Sequence, residues 1–304
     1  MKRTILVLMG GISKEKEISI LSGRACVKAL RKKKYKVKVL DPKGNFINEI
    51  RKIKPKIVFN ALHGRFGEDG YIQSILESEK IKYTHSGVLA SSIAIDKEVS
   101  KKIFIKKKIC TPKFFVYNYN NNLNIHTLIK KSKINFPIVI KPINEGSSIG
   151  VYICTKKNIN KNLKKLKKYN RILVEKYIPG REIQVAVMNN KALGAIELKP
   201  KRKFYDYYAK YSSKAKTKHI MPAPLNLKKY KEVLRIARKA HLSLGCKGIT
   251  RSDFRYYHNK FFLLEINTQP GMTNLSLVPE IAAYKGIRFE NLVEWIVKDA
   301  DYAR

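Results

Sequence analysis

A chain of 304 residues with 44% hydrophobic content is too long for one compact core and too apolar to be disordered. No stretch approaches the roughly 20 apolar residues that span a bilayer, so a soluble protein of two or three domains with no membrane partner is expected. The net charge of +41 points first toward nucleic acid or anionic surfaces. Yet the lysines are scattered, and the runs Arg31–Lys34, Lys106–Lys108 and Lys164–Lys168 lack interleaved aromatics on which bases would stack. Solvated faces without a specific nucleic-acid partner are therefore expected.

Thr4–Met9 is a short apolar run that meets Gly10-Gly11 and the charged stretch Lys14–Glu17 with no cleavage site, which reads as a buried first strand rather than a signal peptide. Ser19–Lys33 reads as a helix with Ile20, Gly23, Val27 and Leu30 on one stripe. Tyr35–Leu40 and Ile57–Leu62 read as strands, the second running into the glycine-punctuated loop His63–Gly70 and then a helix carrying Ile72, Ile75 and Leu76. This alternation predicts a parallel α/β domain to about residue 93, with function at the carboxyl ends of its strands.

A second unit follows, with strands at Ile138–Lys141, Val151–Ile153 and Ile172–Ile178. A third opens with strands Glu182–Val187 and Ala192–Glu197, joined by a hairpin signal at Asn189-Asn190. Residues 200–224 read as irregular. Tyr230–Leu244 reads as a long helix with Tyr230, Val233, Leu234, Ala237, Ala240, His241 and Leu244 on its buried stripe. Cys26, Cys110, Cys154 and Cys246 are widely separated and form no CxxC pair, so neither a zinc nor a disulfide framework is implied, and a reducing cytoplasm fits.

The strongest chemical signal is Arg251–Asn267. Asp253–Tyr256 and Phe261–Ile266 read as two strands around His258-Asn259; a hairpin centred on Asn259 sets Asp253 opposite Glu265. Period-two alternation adds Asn267 beside Glu265 and Arg251 beside Asp253, and turns Phe254, Leu264 and Ile266 toward the core. Two facing carboxylates repel unless a cation lies between them, and such oxygen donors suit Mg²⁺ shared with substrate phosphates. An exposed hairpin whose acids pair with abundant lysines is the plainer alternative. Asn144–Gly150 is a Gly- and Ser-rich loop between strands, with Lys141 upstream, and its backbone N–H groups can wrap phosphate. Neither GxxxxGK[ST] nor GxGxxG is present.

These stretches together resemble the D-alanine–D-alanine ligase family of ATP-grasp enzymes. Met9–Ser19, Ala61–Gly70, Asp96-Lys97, Ile140–Gly150, Phe204–Tyr211, Gly245–Asp253 and Leu264–Pro279 occur in family order over almost the whole chain. The resemblance implies an α/β fold, α+β in its ATP-grasp part. A Rossmann-like parallel domain (1–93) would precede an ATP-grasp fold of two subdomains (94–179 and 180–304). It implies that ATP and D-alanine are bound, with two Mg²⁺ or Mn²⁺ held by Asp253, Glu265 and Asn267.

Lys97 and Lys141 would neutralise ATP phosphates, the Ser147-Ser148 loop would close over them, and Lys210 would touch the transferred phosphate. Glu175, Lys176 and Ile178 would form the adenine hinge, with Glu182 toward the ribose. Glu15 would bind the first D-alanine's ammonium, with His63 nearby. Arg251 and the Gly271 N–H would stabilise the oxyanion, while Ser276 and the Gly271-Met272 region would cradle the second carboxylate. Glu15, Ser147 and Tyr211 match a triad that tethers a mobile covering loop. Tyrosine at 211 resembles dipeptide-forming enzymes rather than D-lactate-using ones. A homodimer in the cytoplasm is implied as well. Departures are Tyr208, where an acid is usual, Ser252 in place of a hydrophobic residue, and the basic stretch Lys199–Lys203. A D-lactate-using ligase, a drifted scaffold and a polyanion-binding protein remain as alternatives.

Overall fold

The computed structural model describes residues 4–121, 123–200, 217–273 and 275–304. Its first unit is a parallel sheet in the order β2-β1-β3-β4, formed by β1 (Thr4–Leu8), β2 (Lys36–Leu40), β3 (Ile57–Asn60) and β4 (Lys82–Tyr83). β1 is a continuous apolar run because both its faces are covered. Helix α1 (Lys16–Lys32) packs on one side through Cys26, Val27 and Leu30. Helices α2 (Phe46–Ile53) and α3 (Tyr71–Ser78) pack on the other through Phe46, Ile50, Ile72 and Leu76. The α1 stripe differs from expectation at one end: the helix starts at Lys16, and Ile18 is buried while Ile20 is only half-buried. The strand order reverses between β1 and β3, so the loops leaving those two strands, 9–15 and 61–70, flank one crevice.

The second sheet, antiparallel in the order β5-β8-β6-β7, comprises β5 (Phe114–Asn118), β6 (Ile138–Pro142), β7 (Tyr152–Cys154) and β8 (Arg171–Lys176). Helices α6 (Ile125–Lys131) and α7 (Ile159–Leu166) cover one face, burying Ile125, Ile129, Ile159 and Leu163. In chain order α4 (Val88–Ile95) and α5 (Lys97–Lys106) link the first two sheets, the latter capped by Asp96, whose carboxylate accepts from the amides of Glu98 and Val99.

The third sheet, order β11-β10-β9-β12-β13, is antiparallel throughout: β9 (Arg181–Met188), β10 (Lys191–Lys199), β11 (Lys218–Ile220), β12 (Ile249–Tyr257) and β13 (Lys260–Asn267). The hairpin at Asn189 forms as expected, with φ of +53° there. β11 is a correction, since a short strand lies inside the segment read as irregular; residues 201–216, with Lys210 and Tyr211, lie outside the described residues. Helix α8 (Leu227–Ser243) packs on one face through Val233, Ala237 and Ala240. On the other face, α9 (Leu277–Tyr284) and α10 (Phe289–Lys298) join this sheet to β1, β3 and α1 in one apolar core. That shared core fixes the crevice of the parallel sheet beside β12 and β13.

Candidate active site

The β12–β13 hairpin does not centre on Asn259. Tyr257 pairs with Lys260, so the turn is the two residues His258 and Asn259, both at positive φ (+45° and +58°), as a tight two-residue hairpin requires. Regular pairing continues to Phe254 opposite Leu263, and a one-residue bulge then restores Asp253 opposite Glu265. The expected facing pair is present, but the bulge produces it. Leu264 is accordingly not a core residue. Leu263 fills the core, and Leu264 is half-buried in the wall of the adjoining cleft.

That cleft, about 790 Å³, lies between the second and third sheets and is lined by Lys97, Lys141, Ser148, Glu175, Lys176, Ile178, Glu182, Asp253 and Glu265, together with Val139 and Leu264. A second cavity of about 530 Å³ adjoins it through Lys97, Glu145 and Glu265, and takes in Glu15, Ser147, Arg251 and Asn267. Seven carboxylates line the two spaces: Glu15, Glu68, Glu145, Glu175, Glu182, Asp253 and Glu265.

Each is held by named partners. The Arg251 guanidinium grips Asp253 with two hydrogen bonds, Nε to Oδ1 at 2.7 Å and Nη2 to Oδ2 at 3.0 Å. Lys97, buried at the start of α5, donates to the Glu145 carbonyl at 2.7 Å and stands 3.4 Å from Glu265 Oε2. Lys141 Nζ lies 2.6 Å from Glu175 Oε1, and Lys101 Nζ lies 3.0 Å from Glu175 Oε2. Burial alone would raise the Glu175 pKa, but the two ammonium groups outweigh it and hold it below the usual carboxylate range. Glu182 pairs with Arg255 at 3.2 Å, and Arg255 Nε also donates to the Ile178 carbonyl. The Lys176 amide donates to the Lys113 carbonyl. The Asn267 side-chain oxygen accepts from the Gln269 amide at 2.8 Å.

Glu15 is the first residue before α1 and is buried. Its carboxylate accepts from the Ser147 hydroxyl. The backbone presses in behind it: a Cβ at Gly146 would sit 2.8 Å from Glu15 Oε2, and one at Gly64 2.5 Å away. Ser147 and Ser148 both take positive φ, +46° and +61°, a strained pair of the kind that marks ligand clamps. A second bridge, Lys14 to Glu145 at 2.9 Å, joins the same two loops.

His63 contacts Glu68 through Nδ1 (3.0 Å) and Ser22 through Nε2 (3.2 Å). Ser22 Oγ also accepts the Met272 amide at 3.2 Å. A Glu68 carboxylate can only accept, so Nδ1 of a neutral His63 carries the proton toward it and Nε2 accepts from the Ser22 hydroxyl. Glu68 has a raised pKa, from burial first and from the nearby Glu15 charge as well. Met272 itself is buried in the core, and Ser276 precedes α9 with its Oγ accepting from the Thr273 amide at 2.9 Å. A Cβ at Gly271 would meet Ser276 Oγ at 2.8 Å.

Sequence reasoning missed Lys101, Arg255, Glu68 and Ser22. Arg255 had a signal, since it continues the Arg251–Asp253 alternation on the cleft face of β12. Lys101 had one too: with Lys97, Ser100 and Phe104 it lies on the buried stripe of α5.

Among the described residues, no helix is long and apolar enough to cross a membrane, and no group of three His, Cys, Asp or Glu side chains could hold a metal. Asp253, Glu265 and Asn267 offer two carboxylates and an amide instead. All three are hard oxygen donors, a set that fits Mg²⁺ when substrate phosphates complete the shell.

A cleft between two antiparallel sheets, floored by lysines and oxygen donors and facing the crevice of a parallel sheet, defines an ATP-grasp ligase. The family model for the D-ala D-ala ligase C-terminus matches residues 106–298. The D-alanine–D-alanine ligase of Pelagibacter ubique is 62% identical over the full length of both chains. That of Wolbachia pipientis wMel is 48% identical over 98% of this chain and 94% of the relative. Two crystal structures of D-alanine–D-alanine ligase from Bacillus anthracis superpose over 98% of this chain and 97% of theirs. The one complexed with ATP has a TM-score of 0.86 at 29% identity, and the other 0.87 at 34%. The chain belongs to the D-alanine–D-alanine ligase family.

Proposed function

We propose that this chain joins two D-alanines into D-alanyl-D-alanine for peptidoglycan precursor synthesis, cleaving ATP to ADP and phosphate through a D-alanyl phosphate intermediate. The observation that carries the reading of the site is that one cavity gathers Glu15, Ser147, Arg251, Glu265 and Asn267 and opens into the lysine-bearing cleft. In this reading Lys97 and Lys141 take the phosphates, and the Ser147-Ser148 loop covers them. Lys176 offers its carbonyl and Ile178 its amide to the adenine beside Glu175, and Glu182 meets the ribose.

Glu15 receives the ammonium of the first D-alanine, with His63 fixed next to it. That substrate's carboxylate oxygen attacks the γ-phosphorus, the bond to ADP breaks, and an acyl phosphate forms; positioning and charge neutralisation supply most of the acceleration. The second D-alanine's amine attacks the acyl carbon and loses a proton. Arg251 and the Gly271 amide stabilise the oxyanion, and phosphate leaves as the C–O bond breaks. Ser276 and the Met272 region hold the second carboxylate. Asp253, Glu265 and Asn267 would hold two Mg²⁺ or Mn²⁺, which when bound neutralise phosphate charge. Tyr211 and Lys210 would close the site from the 201–216 segment.

The division at 93 and 179, a homodimer, and a cytoplasmic location belong to the same proposal. The three separate sheets support the first, and four free cysteines support the last. The test is phosphate release from ATP with Mg²⁺ and D-alanine, against L-alanine, D-lactate, metal chelation and Glu265→Gln. D-alanine-dependent release that yields dipeptide and disappears on chelation and in the variant is expected. Folded protein without D-alanine-dependent release overturns the reading, and release with D-lactate alone moves it to the ester-forming enzymes.

A further inference from the structure

We propose that Lys101 is a positioning residue for nucleotide binding, a counter-cation behind Glu175 that leaves the Lys141 ammonium available toward the cleft. The inference rests on the reading that Lys141 takes ATP phosphates. Lys101 is fully buried on α5 and cannot touch a ligand itself. Its Nζ donates to the Thr111 hydroxyl at 2.7 Å, which in turn donates to the Leu263 carbonyl at 2.8 Å, next to the bulge that sets Glu265. The other side of Nζ meets Glu175 Oε2 at 3.0 Å and faces the Phe114 ring at 5.8 Å. Burying an ammonium is costly, and the cost shows as a pKa lowered to about 8 by desolvation, against the raising effect of Glu175.

The charge count gives the arrangement its purpose. Lys141 and Glu175 alone make a neutral buried pair, with the ammonium committed to the carboxylate at 2.6 Å. Lys101 takes the second carboxylate oxygen, and the trio carries one net positive charge, on the side where Lys141 borders the cleft. An uncovered positive charge in a low-dielectric wall is what a polyphosphate recognises.

The test measures ADP and tripolyphosphate dissociation constants in the presence of Mg²⁺ by calorimetry, and KM for ATP and for D-alanine, in the full chain. Lys101→Met neutralises the trio and should weaken ADP and ATP about ten-fold, with KM for D-alanine unchanged. Lys101→Met combined with Glu175→Gln restores one net positive charge and should return the affinity for Mg²⁺-bound tripolyphosphate, which carries no adenine to meet residue 175, to near wild type. A merely structural lysine would not be rescued by removing a second charge. If Lys101→Met fails to fold, the double variant still decides, because tripolyphosphate binding far weaker than wild type in the folded double overturns the proposal. Lys141→Met separates the two levels. If it weakens nucleotide while Lys101→Met does not, the role of Lys101 fails and the site reading stands. If neither weakens nucleotide, the reading of the cleft fails with it.

Discussion

Asp253 faces Glu265 across the β12–β13 ladder only because Leu264 bulges out of it. The extra residue does two things at once: it restores the pairing of the carboxylates, and it swings an apolar side chain out of the core into the cleft wall. Leu264→Ala should therefore act on nucleotide and not on stability. Losing that wall should cost roughly 1–2 kcal/mol of nucleotide binding, or about ten-fold in KM for ATP. Leu263→Ala, one residue away and fully buried, should instead lower Tm. Steady-state kinetics and thermal melts on the two neighbours check both halves.

Glu15 is held by backbone proximity as much as by the Ser147 hydroxyl. Gly146 has an ordinary φ, so alanine fits its backbone, yet the added Cβ would stand 2.8 Å from Glu15 Oε2. Gly146→Ala should leave the melting curve nearly unchanged and lower kcat/KM for D-alanine about a hundred-fold, the usual cost of a misplaced substrate anchor. Activity close to wild type would contradict the placement of Glu15 at the first amino acid.

Ser22 satisfies two loops through one oxygen, His63 on one side and the Met272 amide on the other. Ser22→Ala strands both buried partners, and a loss of about 1–3 kcal/mol in unfolding free energy is expected from denaturant titration. Ser22→Cys, which keeps a weak donor and acceptor, should recover part of it.

Lys101 also sets a pH dependence. Its pKa falls from 10.5 to about 8 through burial. The groups facing it are Glu175 from β8, Lys141 from β6, Glu265 from β13, and Cys110, with Thr111 and Phe114 uncharged. The ammonium is present below about pH 8 and is lost as pH rises through that value, so KM for ATP should climb above pH 8. Stability runs the other way. Between about 8 and 10.5 the folded chain holds fewer protons than the unfolded chain at this group, so its contribution favours folding as pH rises. Lys101→Met should remove both limbs, as KM–pH profiles and melts across the window would show.

Much of this was legible in the residues, and the gaps have physical causes. β1 announced itself as an apolar run because it is covered on both faces, and α8 through its spaced apolar stripe. The Asp253–Glu265 pairing was anticipated with the wrong turn, since a bulge leaves no mark in an alternation that it interrupts only once. Lys101 was hidden among many other basic residues, and only its place on the buried stripe of α5 distinguishes it. Glu68 and Ser22 gain meaning only where the loop at 61–70 folds against α1 and against the loop at 268–273, contacts that no local pattern encodes.

The seven carboxylates around the two cavities are nearly a third of the 23 acidic residues in the whole chain, while 64 lysines and arginines make up the opposing charge. The molecule is a kernel of paired charges in a cationic rind. The rind draws nucleotide inward from every direction, most strongly in dilute salt, and contributes nothing to where it stops. The kernel decides that, because each of its acids is answered by a particular neighbour, and for this reason the outer charge can drift far while the chemistry inside stays fixed.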